Sequence, residues 1–410
     1  MPEDLLLPDL FRTEYRKIVS VLCKAFGIVH IEAAEDLVND TFLLAAETWG
    51  LKGIPADPVA WLYVVAKNKT KDYLRRNRLF SEKIAKELSS SQAGFEACEI
   101  DLSAGNINDS TLRMMFAVCN PVIPPAYQVG LALRVLCGFG IEEIAAAFLT
   151  NRETIVKRLQ RAKEKLRSVG MPMELPDERA IDSRLDAVLA TLYLLFNEGY
   201  YSVSRKEGIR KELCVEAMRL NLFLLENEKT NKPSVNALMS LMCFHASRFD
   251  ARLNEAGEMI LYYDQDRSLW NDDLIARGNY YLVKSASGPM VSRYHLEASI
   301  AYWHCKKNDG ADKWENILQL YNRLLQLEHS PVIALNRVYA LSKTRGKEKA
   351  IAEAVKLELG DYHFYHTLLG NLYTGIDTQK AIGYYETALS LAKTAGDRRI
   401  IARYLEALQP

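Results

Sequence analysis

The chain has little proline and glycine, no closely spaced cysteines, no long apolar run and no net charge. Its 410 residues hold 13 Pro and 21 Gly. So few breakers, together with few strong strand runs, argue against an extensive sheet. Leu, Ala, Glu, Lys and Arg dominate, and an all-α chain is expected. The seven cysteines (23, 98, 119, 137, 214, 243 and 305) lie far apart with no C-x-x-C. An odd, scattered set reads as reduced core residues, not as a disulfide framework or a zinc site. Cys243 with His245, and His304 with Cys305, are the nearest approaches to metal pairs, but neither has a second pair at ligand spacing. No N-terminal apolar core with a cleavage site appears, and no run is long enough to span a bilayer. A cytoplasmic protein with no membrane contact is expected. No Gly-rich phosphate loop, nucleophile elbow or H-E-x-x-H is present, so neither an enzyme nor a cofactor is expected.

What is present is local charge in a neutral whole. Lys plus Arg and Asp plus Glu both number 52. Yet the segment NRETIVKRLQRAKEKLR (residues 151–167) carries seven basic residues against two acidic. Its apolar positions are Ile155, Leu159, Ala162 and Leu166, one narrow helical stripe. Just upstream, IEEIAAAFL (141–149) predicts a short helix with Ile144, Ala145 and Phe148 inside, and Thr150 or Asn151 can cap the helix that follows. Two short helices, a tight turn and a basic outer face make a helix-turn-helix, whose second helix reads base edges and grips phosphates. A solvated charged helix with no nucleic acid is the alternative reading.

A second basic cluster lies at residues 67–78, with six Lys or Arg against Asp72 alone. The predicted helix 59–77 interleaves Trp61, Tyr63 and Tyr73 with Lys67, Lys69, Lys71, Arg75 and Arg76. Aromatic faces beside cations suit unstacked single-stranded bases; a core helix with a basic C-terminal end accounts for the same residues. Asp57 can cap it, and Pro58 suits its first turn. Two further helices are predicted upstream. The first buries Tyr15, Ile18, Val19, Leu22 and Phe26. The second, 35–49, places Leu37, Val38, Thr41, Phe42, Leu44 and Ala45 inward.

At 410 residues, two to three domains are expected. Residues 81–110 hold six acids against two lysines and a SSSQAG stretch, the composition of a flexible acidic linker.

EDLVNDTFLLAAETW followed by PADPVAWLYVVAKNKTKDYLRRN resembles region two of the extracytoplasmic-function sigma factors. GFGIEEIAAAF with TIVKRLQRAKEKLR resembles their region four, since Thr154-Ile155, Arg158-Leu159 and Arg161-Ala162 fit that family's signature. The family's turn glycine is replaced here by Leu149. The resemblance implies an alternative sigma factor with core RNA polymerase and promoter DNA as partners. It places the polymerase surface on residues 35–49, with Asp36, Asn39 and Asp40 outward. It places −10 recognition on the 50–58 loop and the following helix, with Trp61, Lys67, Asn68, Lys71, Arg75 and Arg76. Region four then reads the −35 element, and Arg152, Glu153 and Lys157, near the start of its second helix, are expected to face bases, with Arg158 and Arg161 holding backbone or neighbouring acids. Region two then spans 1–80, the linker 81–110 and region four 111–172.

The remainder, 178–410, resembles the long C-terminal extension of one sigma group, through LYLLFNEGYY (192–201) and ARLNEAGEMILYYDQDRSLW (251–270). That extension is all-helical with tetratricopeptide-like repeats. Leu369-Gly370-x-x-Tyr373 with Ala381-x-x-x-Tyr385-x-x-Ala388 approximates the repeat pattern. Leu335, Tyr339, Ala350 and Ala354 form a weaker copy, as do Ile317, Tyr321 and Leu324. A protein or peptide partner in the repeat groove, and regulation of the factor by its own extension, are expected. Asn197, Glu198, Tyr200, Asp264, Asp266 and Arg267 are candidates for the regulatory contact. Helix capping by Asp266 or Ser268, with Arg252 or Arg267 pairing the carboxylates, is the structural alternative. His363 and His366 share a face as packing residues. A helical-repeat scaffold and a helix-turn-helix repressor acting without polymerase remain the other functional readings.

Overall fold

The helical bias is realised throughout the computed structural model, with eighteen α-helices and no strand among the described residues. The structure describes residues 3–87, 100–148, 150–170, 173–177, 180–201, 207–252, 260, 262–306 and 311–408. The chain divides into two compact units, Met1–Gly199 with Glu212–Thr230, and Tyr200–Lys211 with Asn231–Pro410.

In the first unit, α1 (Glu3–Phe26) buries Tyr15, Ile18, Val19 and Leu22 on one stripe. It packs on α2 (Ile31–Lys52) and α3 (Pro58–Glu87). Helix α2 turns Leu37, Val38, Thr41, Phe42, Ala45 and Trp49 inward. Leu44, expected inside, is 37% exposed, because it sits one position off that stripe, beside Leu43. Asp57 caps α3 by accepting from the Ala60 N–H at 2.9 Å. Leu62, Ala66 and Thr70 then form its buried line at a spacing of four.

Helix α4 (Ala104–Val118) begins inside the stretch expected to be linker. Ser103 caps it, and Ile107 and Ser110 are buried. Apolar contact with α1, together with Lys24 bridging to Asp109 at 2.6 Å, makes this end of the stretch helical. Residues 88–99 of that stretch lie outside the described residues.

Helices α5 (Pro125–Val135), α6 (Ile141–Ala147) and α7 (Arg152–Val169) pack together as a helix-turn-helix. Leu149 lies outside the described residues. Across the turn the Thr150 N–H donates to the Ala145 carbonyl at 2.9 Å. Asn151 caps α7 by accepting from the Thr154 N–H at 2.8 Å. Ile155, Leu159, Ala162 and Leu166 are its buried residues. Gly170, with φ of 59°, ends the helix in the left-handed region that glycine enters without a Cβ penalty.

Helices α8 (Ile181–Tyr201) and α9 (Glu207–Glu226) follow. Most of each belongs to the first unit. Leu185, Val188, Leu192 and Phe196 of α8 are buried. The Thr191 hydroxyl donates to Gln128 at 2.8 Å, and Arg184 donates to the Phe116 carbonyl at 2.6 Å.

The second unit comprises α10 (Pro233–Ala246), α11 (Asp272–Ser285), α12 (Arg293–Cys305), α13 (Ala311–Leu327), α14 (Pro331–Arg345), α15 (Lys347–Val355), α16 (His363–Tyr373), α17 (Thr378–Leu391) and α18 (Ala395–Glu406). From α12 onward each helix packs on the next in sequence. Leu335, Val338, Ala350 and Ala354 share one core cluster with Leu368, Leu369 and Leu372. Two glycines set close helix approaches. A Cβ on Gly278 would lie 2.7 Å from the Phe244 ring, and one on Gly370 would lie 2.7 Å from the Tyr385 ring.

Candidate nucleic-acid interface

Helix α7 is amphipathic, and its first three turns carry the polar side chains expected to reach DNA. Arg152, Glu153, Lys157 and Arg161 are exposed, while Arg158 is half-buried. Arg152 pairs with Glu142 of α6 at 3.0 Å, and Lys157 pairs with Glu153 at 2.7 Å. Both pairs are exposed, so exchanging them for phosphate or base contacts sacrifices little.

On α3, Asn68, Lys71, Arg75 and Arg76 are exposed and Lys67 is half-buried. Arg75 lies 3.4 Å from Asp72. Trp61 is half-buried and meets Trp49 edge-on at 5.4 Å, anchoring α3 to α2. Tyr63 donates to Glu14 of α1 at 2.6 Å, and Glu14 also receives Lys17 at 2.7 Å.

On α2, Asp36, Asn39 and Asp40 are exposed. Sequence reasoning missed their apolar neighbours on the same face. Leu43 is 59% and Leu51 88% exposed. Steps of four, three or four residues link Asp36, Asp40, Leu43, Glu47 and Leu51, the spacing of one helix face. Acids thus stand beside uncovered leucines on that exposed face.

Sequence reasoning also missed Glu35. It is buried, in phase with Val38, Phe42, Ala45 and Trp49. The Tyr15 hydroxyl donates to it at 3.0 Å and Arg134 of α5 at 3.1 Å, and Lys163 of α7 completes the cluster. Arg134 also donates to the Tyr15 oxygen at 3.0 Å and to the Phe139 carbonyl at 3.1 Å. Burial, followed by the Glu35 charge, raises the Tyr15 hydroxyl well above its ordinary value. Two cations on one buried carboxylate supply the compensation that its desolvation demands. At the rim, Arg167 of α7 reaches Glu32 of α2 at 3.1 Å.

Helix α9 spans the same seam. Arg12 pairs with Glu212 at 2.6 Å and Arg16 with Glu216 at 2.7 Å. Arg219 pairs with Glu216 at 2.8 Å and donates to the Leu136 carbonyl, just past α5, at 2.7 Å. A Cβ on Gly138, whose φ is 75°, would stand 2.7 Å from the Arg12 carbonyl oxygen. Backbone here approaches backbone at a distance only glycine permits. The neighbouring Cys137 thiol is pushed up to about 12 by burial.

The residues expected at a regulatory contact fall in different places. Asn197 and Glu198, both half-buried, belong to the first unit. Tyr200 is buried in the second, with its hydroxyl accepting from Arg248 at 3.1 Å and the Arg252 guanidinium 3.8 Å from its ring centre. The His245 ring lies 4.5 Å from that of Tyr200, tilted by 42°. Burial, and then the Arg248 and Arg252 charges, hold that imidazole well below its ordinary pKa. Asp264 is exposed. Asp266 caps a short turn by accepting from the Ser268 N–H at 2.8 Å, and Arg267 lies 5.5 Å from the Trp270 ring.

Among the described residues no group of three His, Cys, Asp or Glu side chains is placed to hold a metal, and no helix is long and apolar enough to cross a membrane.

Residues 10–80 match the family model for sigma-70 region 2. Residues 184–286 match a family of unknown function, DUF6596. Over 401 residues the chain is 33% identical to an uncharacterized protein of Rhizobium meliloti (strain 1021), and the match covers 95% of both chains. No solved structure matches significantly.

Proposed function

We propose that this chain, which belongs to the same family as the uncharacterized Rhizobium meliloti protein and carries a sigma-70 region 2 over residues 10–80, is an alternative sigma factor of the extracytoplasmic-function type. It directs core RNA polymerase to specific promoters. The observation that carries this reading is the ordered pair on one chain. A region 2 whose α2 displays Asp36, Asn39 and Asp40 precedes a helix-turn-helix whose α7 displays Arg152, Glu153, Lys157 and Arg161.

The steps follow from these surfaces. The acidic and apolar face of α2 docks on the polymerase. The exposed cations of α3 follow the displaced strand of the −10 element, where backbone charge and base stacking provide the affinity. Helix α7 enters the major groove at the −35 element, with base contacts from its first turns and phosphate contacts from Arg158 and Arg161.

The extension regulates the factor from within the chain. Supporting this, most of α8 and α9 lies in the same compact unit as residues 1–170, and α9 pairs directly with α1. The succession from α12 to α18, with Gly370 under the Tyr385 ring, supports tetratricopeptide-like repeats that bind a protein or peptide segment. Footprinting on promoters mapped after overexpression, with and without core enzyme, tests the reading. Protection of both elements only when core is present supports it; protection without core favours a repressor.

A further inference from the structure

The outward side of α7 is polar with one interruption. From Arg152 to Ser168 every exposed side chain is polar or charged except Val156, which is 38% exposed. Scattered apolar residues are ordinary on protein surfaces, and what singles this one out is its place. Glu153, Val156, Lys157 and Gln160 follow one another at steps of three, one and three residues. At about 100° per residue they fill one arc of about 100°. That arc lies on the side away from the buried stripe of Ile155, Leu159, Ala162 and Leu166. The same steps separate the groove-reading side chains of the homeodomain variant of the helix-turn-helix.

The polar members of the arc find partners on the helix itself. Glu153 pairs with Lys157 at 2.7 Å, and Gln160 donates to Glu164 at 3.1 Å. Val156 can make no such contact. A β-branched residue also lowers helix propensity slightly, so an exposed valine gives folding nothing that Lys or Gln would not. On a base edge, however, its isopropyl group is selective. It offers neither donor nor acceptor, and against the cytosine amine it would cover a polar group without satisfying it. Thymine is the base that presents a methyl group in the major groove.

We propose that Val156 is a specificity-determining residue of the −35 contact, and that it reads a thymine through the C5-methyl group. The inference rests on the sigma-factor reading above and names one base of the element that α7 reads. The contact adds sequence preference without charge. Its contribution is therefore independent of salt, unlike the phosphate contacts of Arg158 and Arg161, which release counterions.

The experiment uses holoenzyme assembled from the full-length chain and core polymerase, on a promoter mapped after overexpression. Each thymine of the −35 element is replaced in turn by deoxyuridine, which removes the methyl and keeps every donor and acceptor. One thymine is expected whose replacement weakens wild-type binding about three- to four-fold, the value of one methyl group taken out of water. Holoenzyme carrying Val156→Ala, native by circular dichroism, is expected to bind those two duplexes nearly alike, and Val156→Ile is expected to restore the difference. The wild-type difference should persist across a salt series. A −35 element without thymine, no deoxyuridine effect at any position, or an equal effect in wild type and Val156→Ala overturns the assignment while leaving the sigma-factor reading intact. Holoenzyme that does not engage the promoter at all overturns that reading, and the assignment with it.

Discussion

Arg16 of α1 and Glu216 of α9 form an ion pair at 2.7 Å in which both side chains are 13% exposed. Residues 200 positions apart in sequence are thus fixed across the interior of one compact unit. Cutting the chain after Met173 removes α9 together with the buried face of α8. The shortened protein should lose transcriptional activity several-fold and unfold at lower temperature. A cut after Thr230 retains the first unit's helices and should unfold at a temperature close to that of the parent's first unit. Calorimetry of both truncations beside the full chain checks this. In the full chain, Glu216→Ala leaves Arg16 without that pair and should cost about 3 kcal/mol.

The recognition helix should separate base contacts from phosphate contacts. Arg152→Ala and Lys157→Ala should each cost about 1–3 kcal/mol of discrimination at one position of the −35 element. Arg161→Ala should weaken all sequences alike and flatten the salt dependence by about one unit. Binding titrations of holoenzyme over a salt series, on matched and mismatched −35 duplexes, distinguish the two patterns.

Much of the fold was legible because helices declare themselves locally. The stripe Ile155, Leu159, Ala162 and Leu166, the Asn151 cap and the Asp57 cap all follow from spacing within a few turns. Leu44 misled because it falls at a helical interval from Leu37, and only the packed partners show that α2's inner stripe runs one position away. Glu35 carried a faint signal, an acid in phase with Val38 and Phe42, but nothing local revealed its partners at Arg134 and Lys163. The place of α8 and α9 was hidden for the same reason. Their partners, Gln128, Arg12 and Arg16, lie far upstream. Of the candidate interface, the basic face of α7 could be read in advance, and the exposed Leu43 and Leu51 could not.

Gly370 should tolerate no side chain. Gly370→Ala places a methyl within 2.7 Å of the Tyr385 ring, and should destabilise the second unit by about 1–3 kcal/mol through overpacking. Tyr385→Leu in the same chain should recover part of that loss. Thermal unfolding of the single and double variants reads the coupling.

The second unit should weaken in acid through His245. Its pKa is depressed in the folded state, chiefly by burial, so below about pH 6.5 the unfolded chain binds a proton that the folded chain refuses. The stability is complete above that pH and falls as pH drops, with a slope of up to about 1.4 kcal/mol per unit from this group. His245→Gln should reduce the difference between melting temperatures at pH 7.5 and 5.5. An equal difference in the variant would assign the acid sensitivity to other groups, such as His295, whose imidazole burial also holds below its ordinary value.

Binding to core RNA polymerase tests the sigma-factor reading most directly. Purified full-length protein should bind core enzyme and confer transcription from a promoter that core alone ignores. Asp36→Lys with Asp40→Lys should weaken that binding at least ten-fold while circular dichroism remains native, because exposed charges contribute little to stability. Failure of the wild type to bind core, with promoter DNA bound equally well in its absence, would contradict the assignment.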